Sequence, residues 1–401
     1  MPLPVFAMML CTFCVGTAES VIAGILPNIS RHVGVSLSAV GMLISVYALV
    51  VVIVGPCVTA LTVRLRRAVL LPGMMGTFIL GNVVAALAPG FSWLVAGRVV
   101  SALAHSTLIA AFVAAARDIA PPHKRAAAGA KVTLGIGLAT VIGVPAGTLV
   151  GDNWGWRATF WALAVLSLLS TLLLMRERIP DPAPAEPAAR DQGRPGEGGL
   201  TSLVPMALVA LVIVMGTGGV FALYTYASLY LTEAAGFGSS AVTVLLWLYG
   251  LGGIAGNVVG ARAADRHLSA AVLGSLGLAA AGLLLLVLLV HSPWAVAALF
   301  CILGAAYFAT IPALNSQIVA SAGPASATMA LTVNNSAFCV GIALGSWLGG
   351  ALLAGGHTVL SIPEAGAALV TGGLLLSGIG SRIPRRKPTS AAAVAPGAAI
   401  Q

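Results

Sequence analysis

Twelve times along a chain of 401 residues the sequence runs apolar for about 20 positions, the length a helix needs to cross the hydrocarbon core of a bilayer. The runs fall near 4–26, 38–62, 68–90, 93–116, 126–150, 157–175, 203–229, 240–261, 269–290, 294–317, 327–352 and 360–380. Short polar or Pro/Gly-marked breaks separate them, as expected where membrane helices turn. With 59% of residues hydrophobic and 8% charged, no water-soluble fold could hide this much apolar surface. The chain therefore reads as an all-α integral membrane protein with twelve transmembrane helices. The first run lacks a basic leader and a small-residue cleavage site, so it reads as a retained helix rather than a signal peptide.

The charges sort by side. Of twenty Lys and Arg residues, seventeen fall on one side if the runs alternate across the membrane. Arg31 and Arg157 fall on the other, and Arg98 lies inside the fourth run. Positive charge gathers on the cytoplasmic face, so both termini are expected in the cytoplasm. The net charge of +9 thus points to topology and not to nucleic acid. Cys11, Cys14, Cys57, Cys301 and Cys339 all sit inside apolar runs, which argues against a disulfide framework. Cys11 and Cys14 have CxxC spacing but no further Cys or His beside them, so no metal and no cofactor is expected.

One break differs from the others. RERIPDPAPAEPAARDQGRPGEGG, between Met175 and Leu200, is too rich in Pro, Gly and mixed charge to bury a core and reads as a linker. The expected organisation is a six-helix bundle over 1–178, a cytoplasmic linker over 179–200, a second six-helix bundle over 201–382 and a disordered cytoplasmic tail over 383–401. AGRVVSALAHSTLIAAF in run 4 echoes LGAAYFATIPALNSQIV in run 10, and the cationic turn after run 2 echoes ADRHL after run 8, which suggests duplication.

Only Glu19 and Arg98 are unambiguous ionisable residues in mid-run. A charge at the centre of a membrane helix costs on the order of 2.5–3.5 kcal/mol, so such residues are read as pathway or proton-relay groups. A carboxyl in low dielectric can load and release protons near physiological pH, which makes Glu19 the candidate proton carrier. Arginine stays cationic, so Arg98 must be paired, bonded to backbone carbonyls or facing water. His105 lies seven residues on, on the same helical face, and reads either as a packed polar residue or as a relay.

In run 5 Gly135, Ala139, Gly143, Gly147 and Gly151 recur every four residues with Pro145 among them. Small residues at that spacing let helices approach closely, and a proline can kink the span. Gly252, Gly256 and Gly260 in run 8, and Gly341, Gly345 and Gly349 in run 11, form similar ladders for packing. For cavity lining the candidates are Tyr47, Tyr224, Tyr226, Asn257, Asn334 and Asn335, with Asn82, Trp247, Tyr249, Tyr307, Asn315 and Gln317 beside them. Adjacent Asn334 and Asn335 point about 100 degrees apart on a helix and cannot easily share one partner.

Several of these stretches carry a resemblance. GTAESVIAGILP from Gly16, GRVVSALAHSTLIAAF from Gly97 and GIGLATVIGVPAGTLVGDNWGWRATFW from Gly135 resemble the first-, fourth- and fifth-helix motifs of the twelve-span drug:proton antiporters. These form a branch of the major facilitator superfamily, and the first half is most similar to its bacterial chloramphenicol-resistance and arabinose-efflux exporters. The resemblance implies the major facilitator fold, two six-helix pseudo-repeat halves with a substrate cavity between them near the midplane. It gives Glu19 and Arg98 a role in proton coupling, to which His105 is added from its place on the Arg98 face, and Gly143, Pro145, Gly147 and Gly151 the antiporter motif. Arg64, Asp265 and Arg266 become cytoplasmic-loop gating residues. The first-half loop, TALTVRLRR, departs from the family in having Val63 where an aspartate is usual, whereas the second-half loop keeps Asp265-Arg266.

No GxxxxGK[ST], HExxH or GxSxG pattern occurs and the six histidines are scattered, so neither ATP hydrolysis nor membrane enzymology is indicated. A channel would need neither the lone acid nor the divided repeat. The expected function is proton-coupled export of a small neutral or amphipathic compound, antibiotic-like and on the resemblance chloramphenicol-like, across a bacterial cytoplasmic membrane. A sugar or nucleoside exporter is the alternative. The expected partners are the small molecule, protons and lipid, for a monomer that binds no nucleic acid.

Overall fold

The computed structural model describes residues 2–62, 65–121, 124–177, 179, 181, 199–322 and 327–382. Most of the expected linker and all of the expected tail lie outside them. Described elements are helices throughout, with no strand among them. Eleven are long and apolar enough to cross a membrane, and a bent pair makes a twelfth. Span 1 is Leu3–Ser20 with Ile22–Val33, span 2 is Leu37–Ile53 with Gly55–Thr62, span 3 is Arg67–Leu87 and span 4 is Phe91–Ile119. Span 5 is Arg125–Leu138, a π-helical turn Ala139–Gly143 and Val144–Trp154, and span 6 is Trp156–Arg176. Span 7 is Gly199–Thr225 with a short continuation to Ala234, and span 8 is Ser239–Arg266. Spans 9 to 12 are Leu268–Leu288, Pro293–Ala322, Ala327–Ala354 and Ser361–Arg382.

The spans match the apolar runs in number and order, and differ in length. Span 1 continues to Val33, past the apolar limit at Leu26, because Asn28, Ser30, Arg31 and His32 remain helical after hydropathy falls. The helix stops where Gly34 turns left-handed, with φ of 73°. Span 4, at 29 residues, is about 44 Å long at 1.5 Å per residue and so outreaches the ~30 Å hydrocarbon core.

Breaks have local causes. Span 2 bends by 43° at Val54, just before Gly55-Pro56. Pro145 in span 5 has no N–H, and its ring crowds the carbonyl four residues back, at Val141. The backbone widens there into one π turn, Ala139–Gly143, and resumes as α-helix.

Helix pairing repeats along the chain. Span 1 packs on spans 5 and 6, span 3 on spans 4 and 6, and span 2 on span 4. Six spans later span 7 packs on 11 and 12, span 9 on 10 and 12, and span 8 on 10. The two sets meet where span 2 crosses span 11, span 5 crosses span 8 and the far ends of spans 1 and 7 touch. These crossings cluster away from the end where the chain begins and finishes. Ser45 donates to the Ala343 carbonyl at 3.0 Å, and the Tyr226 ring lies against Gly41. Toward the terminal end Gly55–Thr62 turns back onto its own set, with Thr59 and Thr107 hydroxyls 2.8 Å apart.

Candidate functional site

Gly81 and Gly97 press span 3 against span 4 so closely that a Cβ on either would meet backbone of the other helix. That approach fixes span 4 and with it Arg98, whose long side chain is wholly buried. Of the three compensations open to a buried arginine, backbone carbonyls are found. Nη1 donates to the Ala18 carbonyl at 2.7 Å and Nη2 to that of Glu19 at 3.4 Å. The guanidinium carbon lies 4.1 Å from the centroid of the Tyr47 ring, a cation–π contact. Tyr47 in turn holds its hydroxyl 3.0 Å from Nδ1 of buried His105. Ser101 turns inward on its own helix, donating to the carbonyls of Gly97 and Arg98. Tyr47, expected to line a cavity, is instead fully buried as the bridge between Arg98 and His105.

The carbonyls that Arg98 engages lie at the break in span 1. Leu3–Ser20 ends one residue before Val21, where the backbone tightens into a bond from the Gly24 amide to the Val21 carbonyl. Side chains that insert into the helix ladder are a recognised source of such kinks. Glu19 stands on the last turn before the break and is half-buried. Its carboxylate forms no hydrogen bond or ion pair among the described residues.

Span 5 carries the glycine ladder onto span 1. A Cβ at Gly135 would meet the Met9 carbonyl and Phe13 nitrogen, at Gly143 the Thr17 side chain, at Gly147 Val21, and at Gly151 Ile25. Gly147 and Gly151 thus sit against the helix just beyond the break. On its other side the π turn meets span 8, where Gly250 lies against Thr140 and Val141. Pro145 therefore distorts span 5 where it is held between span 1 and the second half.

In the second half Phe221, Tyr224, Tyr249, Tyr307 and Phe308 form a connected aromatic cluster, neighbouring centroids lying 4.8–6.3 Å apart. Tyr224 belongs to it and is buried. Tyr226 does not: its hydroxyl donates to the Ser346 carbonyl at 3.1 Å and its ring fills the seam beside Gly41 and Gly349. The adjacent amides diverge, Asn334 buried and donating to Asn315 Oδ1 at 2.7 Å, Asn335 exposed. Asn257 is exposed as well.

At the terminal end Asp265 and Arg266 are exposed, and Arg64 lies outside the described residues. The ion pairs there involve other residues. Arg67 reaches Asp118 at 2.5 Å, and Asp181 accepts from Arg66 Nε at 2.9 Å and from the Arg67 amide at 2.7 Å. The Arg66 guanidinium, and after it the Arg67 amide, hold the Asp181 carboxyl below the usual aspartate range. At the opposite end Asn28 donates to Asp152 at 2.7 Å and accepts from Arg31 at 2.6 Å. Apart from the Asn28–Arg31 contact within one helix turn, these clusters join residues too far apart in sequence for local patterning to pair them.

The family model described as Major Facilitator Superfamily matches residues 8–346. The inner membrane transport protein YdhP of Escherichia coli (strain K12) is 35% identical over 93% of this chain and 94% of its own. The uncharacterized MFS-type transporter YfhI of Bacillus subtilis (strain 168) is 33% identical over 93% and 92%. The chloramphenicol resistance protein of Streptomyces lividans is 34% identical over 89% and 90%. Among solved structures, a bacterial homologue of the human lysosomal transporter Spinster, inward-facing and occupied, superposes with a TM-score of 0.74 at 16% identity, covering 94% of this chain and 96% of that one.

Proposed function

The chain belongs to the Major Facilitator Superfamily, a family of membrane transporters, and we propose that it is a proton-coupled antiporter exporting a small neutral or amphipathic, antibiotic-like compound by alternating access. The observation that carries this reading is Glu19: a half-buried carboxylate without a hydrogen bond or ion pair among the described residues, at a helix break whose carbonyls Arg98 holds. Such a group can exchange a proton with whichever side the cavity faces, while Arg98 holds the break through the backbone and leaves the carboxylate itself unpaired. The resistance protein of Streptomyces lividans supports efflux of an antibiotic-like cargo. The seventeen-to-two charge split supports cytoplasmic termini in a bacterial inner membrane, with six helices on each side of the linker. On that orientation the contacts between the halves gather toward the external end, around a cavity of about 390 Å³ lined by Asn28, Arg31, Asp152 and Glu233.

Glu19→Gln keeps shape and hydrogen-bonding capacity but mimics a permanently protonated carboxyl. In energised vesicles across about pH 6 to 8.5, the range in which a buried carboxyl can titrate, the variant should lose pH-dependent uphill export while still inserting. Gradient-driven export with unchanged pH dependence would move the proton site elsewhere.

A further inference from the structure

At the end remote from the termini, spans 1, 2 and 5 of the first half meet spans 7 and 8 of the second around a cavity of about 390 Å³. Small-molecule sites run from roughly 300 to 1,000 Å³, so this space suits an organic compound better than a bare ion. Three helix C-termini border it. Arg31 lies in the last turn of span 1, Asp152 in that of span 5, and Glu233 one residue before the continuation of span 7 ends. Only two N-termini do so, those of spans 2 and 8 at Leu37 and Ser239. The carbonyl dipoles at a helix C-terminus favour a cation and oppose an acid. Arg31 suits its place, whereas Asp152 and Glu233 do not.

Neutralisation within the cavity is partial. Arg31 Nη2 donates to Asn28 Oδ1 at 2.6 Å, and Asn28 Nδ2 donates in turn to one oxygen of Asp152 at 2.7 Å, so the amide links the two charges. The Glu233 carboxylate, from the other half, has no hydrogen bond or ion pair among the described residues. One cation against two acids leaves the lining with a net negative charge. An independent sign of a ligand is Ser228. It lines the same cavity, is only 3% exposed, and its hydroxyl has no hydrogen-bond partner. Buried hydroxyls are seldom left so, because their hydration is lost without return. The nearby Ser30 and Thr232 hydroxyls are both spent on backbone carbonyls.

We propose that this cavity binds a small primary ammonium compound with an apolar body. The ammonium brings the missing positive charge and three N–H donors, for Asp152, Glu233 and the Ser228 hydroxyl. The apolar body lies against Leu37, Leu229 and Val242. Because Asp152 and Glu233 belong to different halves, the bound ammonium joins them and favours the closed state of this end. The site shares no lining residue with the Glu19–Arg98 cluster and goes beyond the export reading, since its occupation needs neither a proton gradient nor cargo.

Full-length protein in nanodiscs, with both faces in solution, tests this with phenethylammonium chloride against phenethyl alcohol, the same body without the charge. Ligand-observed NMR gives the affinity, and empty nanodiscs correct for partition into lipid. The ammonium should bind and the alcohol should not. Glu233→Gln and Asp152→Asn should each weaken binding about two- to fivefold, the range of a partly screened charge pair. Both should fold, since Asn28 keeps an acceptor in Asp152→Asn and Glu233→Gln breaks no described contact. Arg31→Gln removes a like charge and should tighten binding by a similar factor. Ser228→Ala should weaken binding about two- to tenfold while the ligand-free unfolding temperature holds or rises, because an unpaired buried hydroxyl is removed. Lower stability with unchanged affinity in Ser228→Ala would make that hydroxyl structural and overturn the proposal. Equal binding of alcohol and ammonium overturns it as well, and so does ammonium binding that is unchanged in Asp152→Asn and Glu233→Gln, which would put the ligand elsewhere. Thermal protection by magnesium or calcium chloride with none by phenethylammonium would make the acids a metal site instead. Binding to purified protein is read without transport, so this result stands whether or not the export reading does.

Discussion

The two halves repeat one helix pairing and fill it with different chemistry. The first half buries Arg98 and His105 and meets the cost with backbone carbonyls, a tyrosine face and a tyrosine hydroxyl. The second half, among its described residues, buries no charged side chain; its polar core consists of hydroxyls and amides beside five connected aromatic rings. A buried charge has to be held by several partners at once, so each partner's position becomes fixed. Neutral rings pack over a range of angles and tolerate loss of a single group. On the proposed reading, coupling resides in the half that can least afford rearrangement, and the cargo meets the half that adapts.

The largest effect that tests this contrast is at Arg98. Arg98→Ala leaves the buried Ala18 carbonyl and the half-buried Glu19 carbonyl short of a donor, at about 1–3 kcal/mol for an unsatisfied buried group, and removes the cation from the Tyr47 face. Uphill export should be abolished, and the unfolding midpoint in detergent should fall, with the protein still in the membrane. Arg98→Lys should recover export only in part, since an ammonium lacks the planar fork that spans two acceptors. The matching change in the other half is Tyr249→Phe, which keeps the ring; export should stay within about twofold, as a single exposed or unbonded hydroxyl contributes little. Loss of export in Tyr249→Phe with retention in Arg98→Ala would invert the assignment of roles.

Much of this was legible in sequence because lipid imposes a simple code. Twelve runs match twelve spans, and the two residues with mid-run charges come together at the break in span 1, where Arg98 holds the Glu19 main-chain carbonyl. The divergence of Asn334 and Asn335 also follows from helix geometry alone. Illegible were contacts that depend on how helices cross. Tyr47 and Tyr226 look alike as aromatic candidates, yet one bridges Arg98 to His105 and the other plugs the seam at Gly41. Asp181 falls within a stretch whose composition suggests only a linker, and its partners lie more than 110 residues earlier. Hydropathy also ends span 1 at Leu26, since it registers the polarity of Asn28 and Arg31 and not the helix that carries them to Val33.

A middle-sized effect concerns what the halves share. Gly135 faces backbone of span 1, and Gly256 faces backbone of span 10 at Ala305. Neither neighbour can yield, so Gly135→Ala and Gly256→Ala should each destabilise by about 1–3 kcal/mol from overpacking. Gly147 faces methyl groups of Val21 and Thr159, side-chain ends that can turn where backbone cannot. There the strain should be smaller and largely offset by the gain of about 1 kcal/mol in helix propensity from glycine to alanine. Thermal unfolding in detergent should therefore rank Gly147→Ala close to the parent and the other two well below it. Equal losses at all three would show that the break in span 1 is as rigid as the helix around it.

The smallest effect sharpens the account of the second half, where Asn334 and Asn335 are neighbours in sequence and opposites in environment. Asn334 is buried and donates to half-buried Asn315, so Asn334→Ala removes a hydrogen bond and leaves Asn315 Oδ1 without this donor. A stability loss of about 1–3 kcal/mol is expected, with export falling only as far as folded protein falls. Asn335 is exposed, and Asn335→Ala should change stability by no more than about 0.5 kcal/mol. The informative quantity is export per folded molecule. If both variants match the parent on that scale, neither amide contacts cargo, and recognition in this half falls to the aromatic cluster, as expected for a neutral or amphipathic compound. If Asn335→Ala keeps its stability and raises the cargo concentration needed for half-maximal export, that amide binds cargo and the second half is more polar in function than its buried core suggests. A cargo dependent on both amides would resemble a sugar or nucleoside more than an antibiotic, and the contrast between a charged half and an apolar one would have to be redrawn around hydrogen bonding.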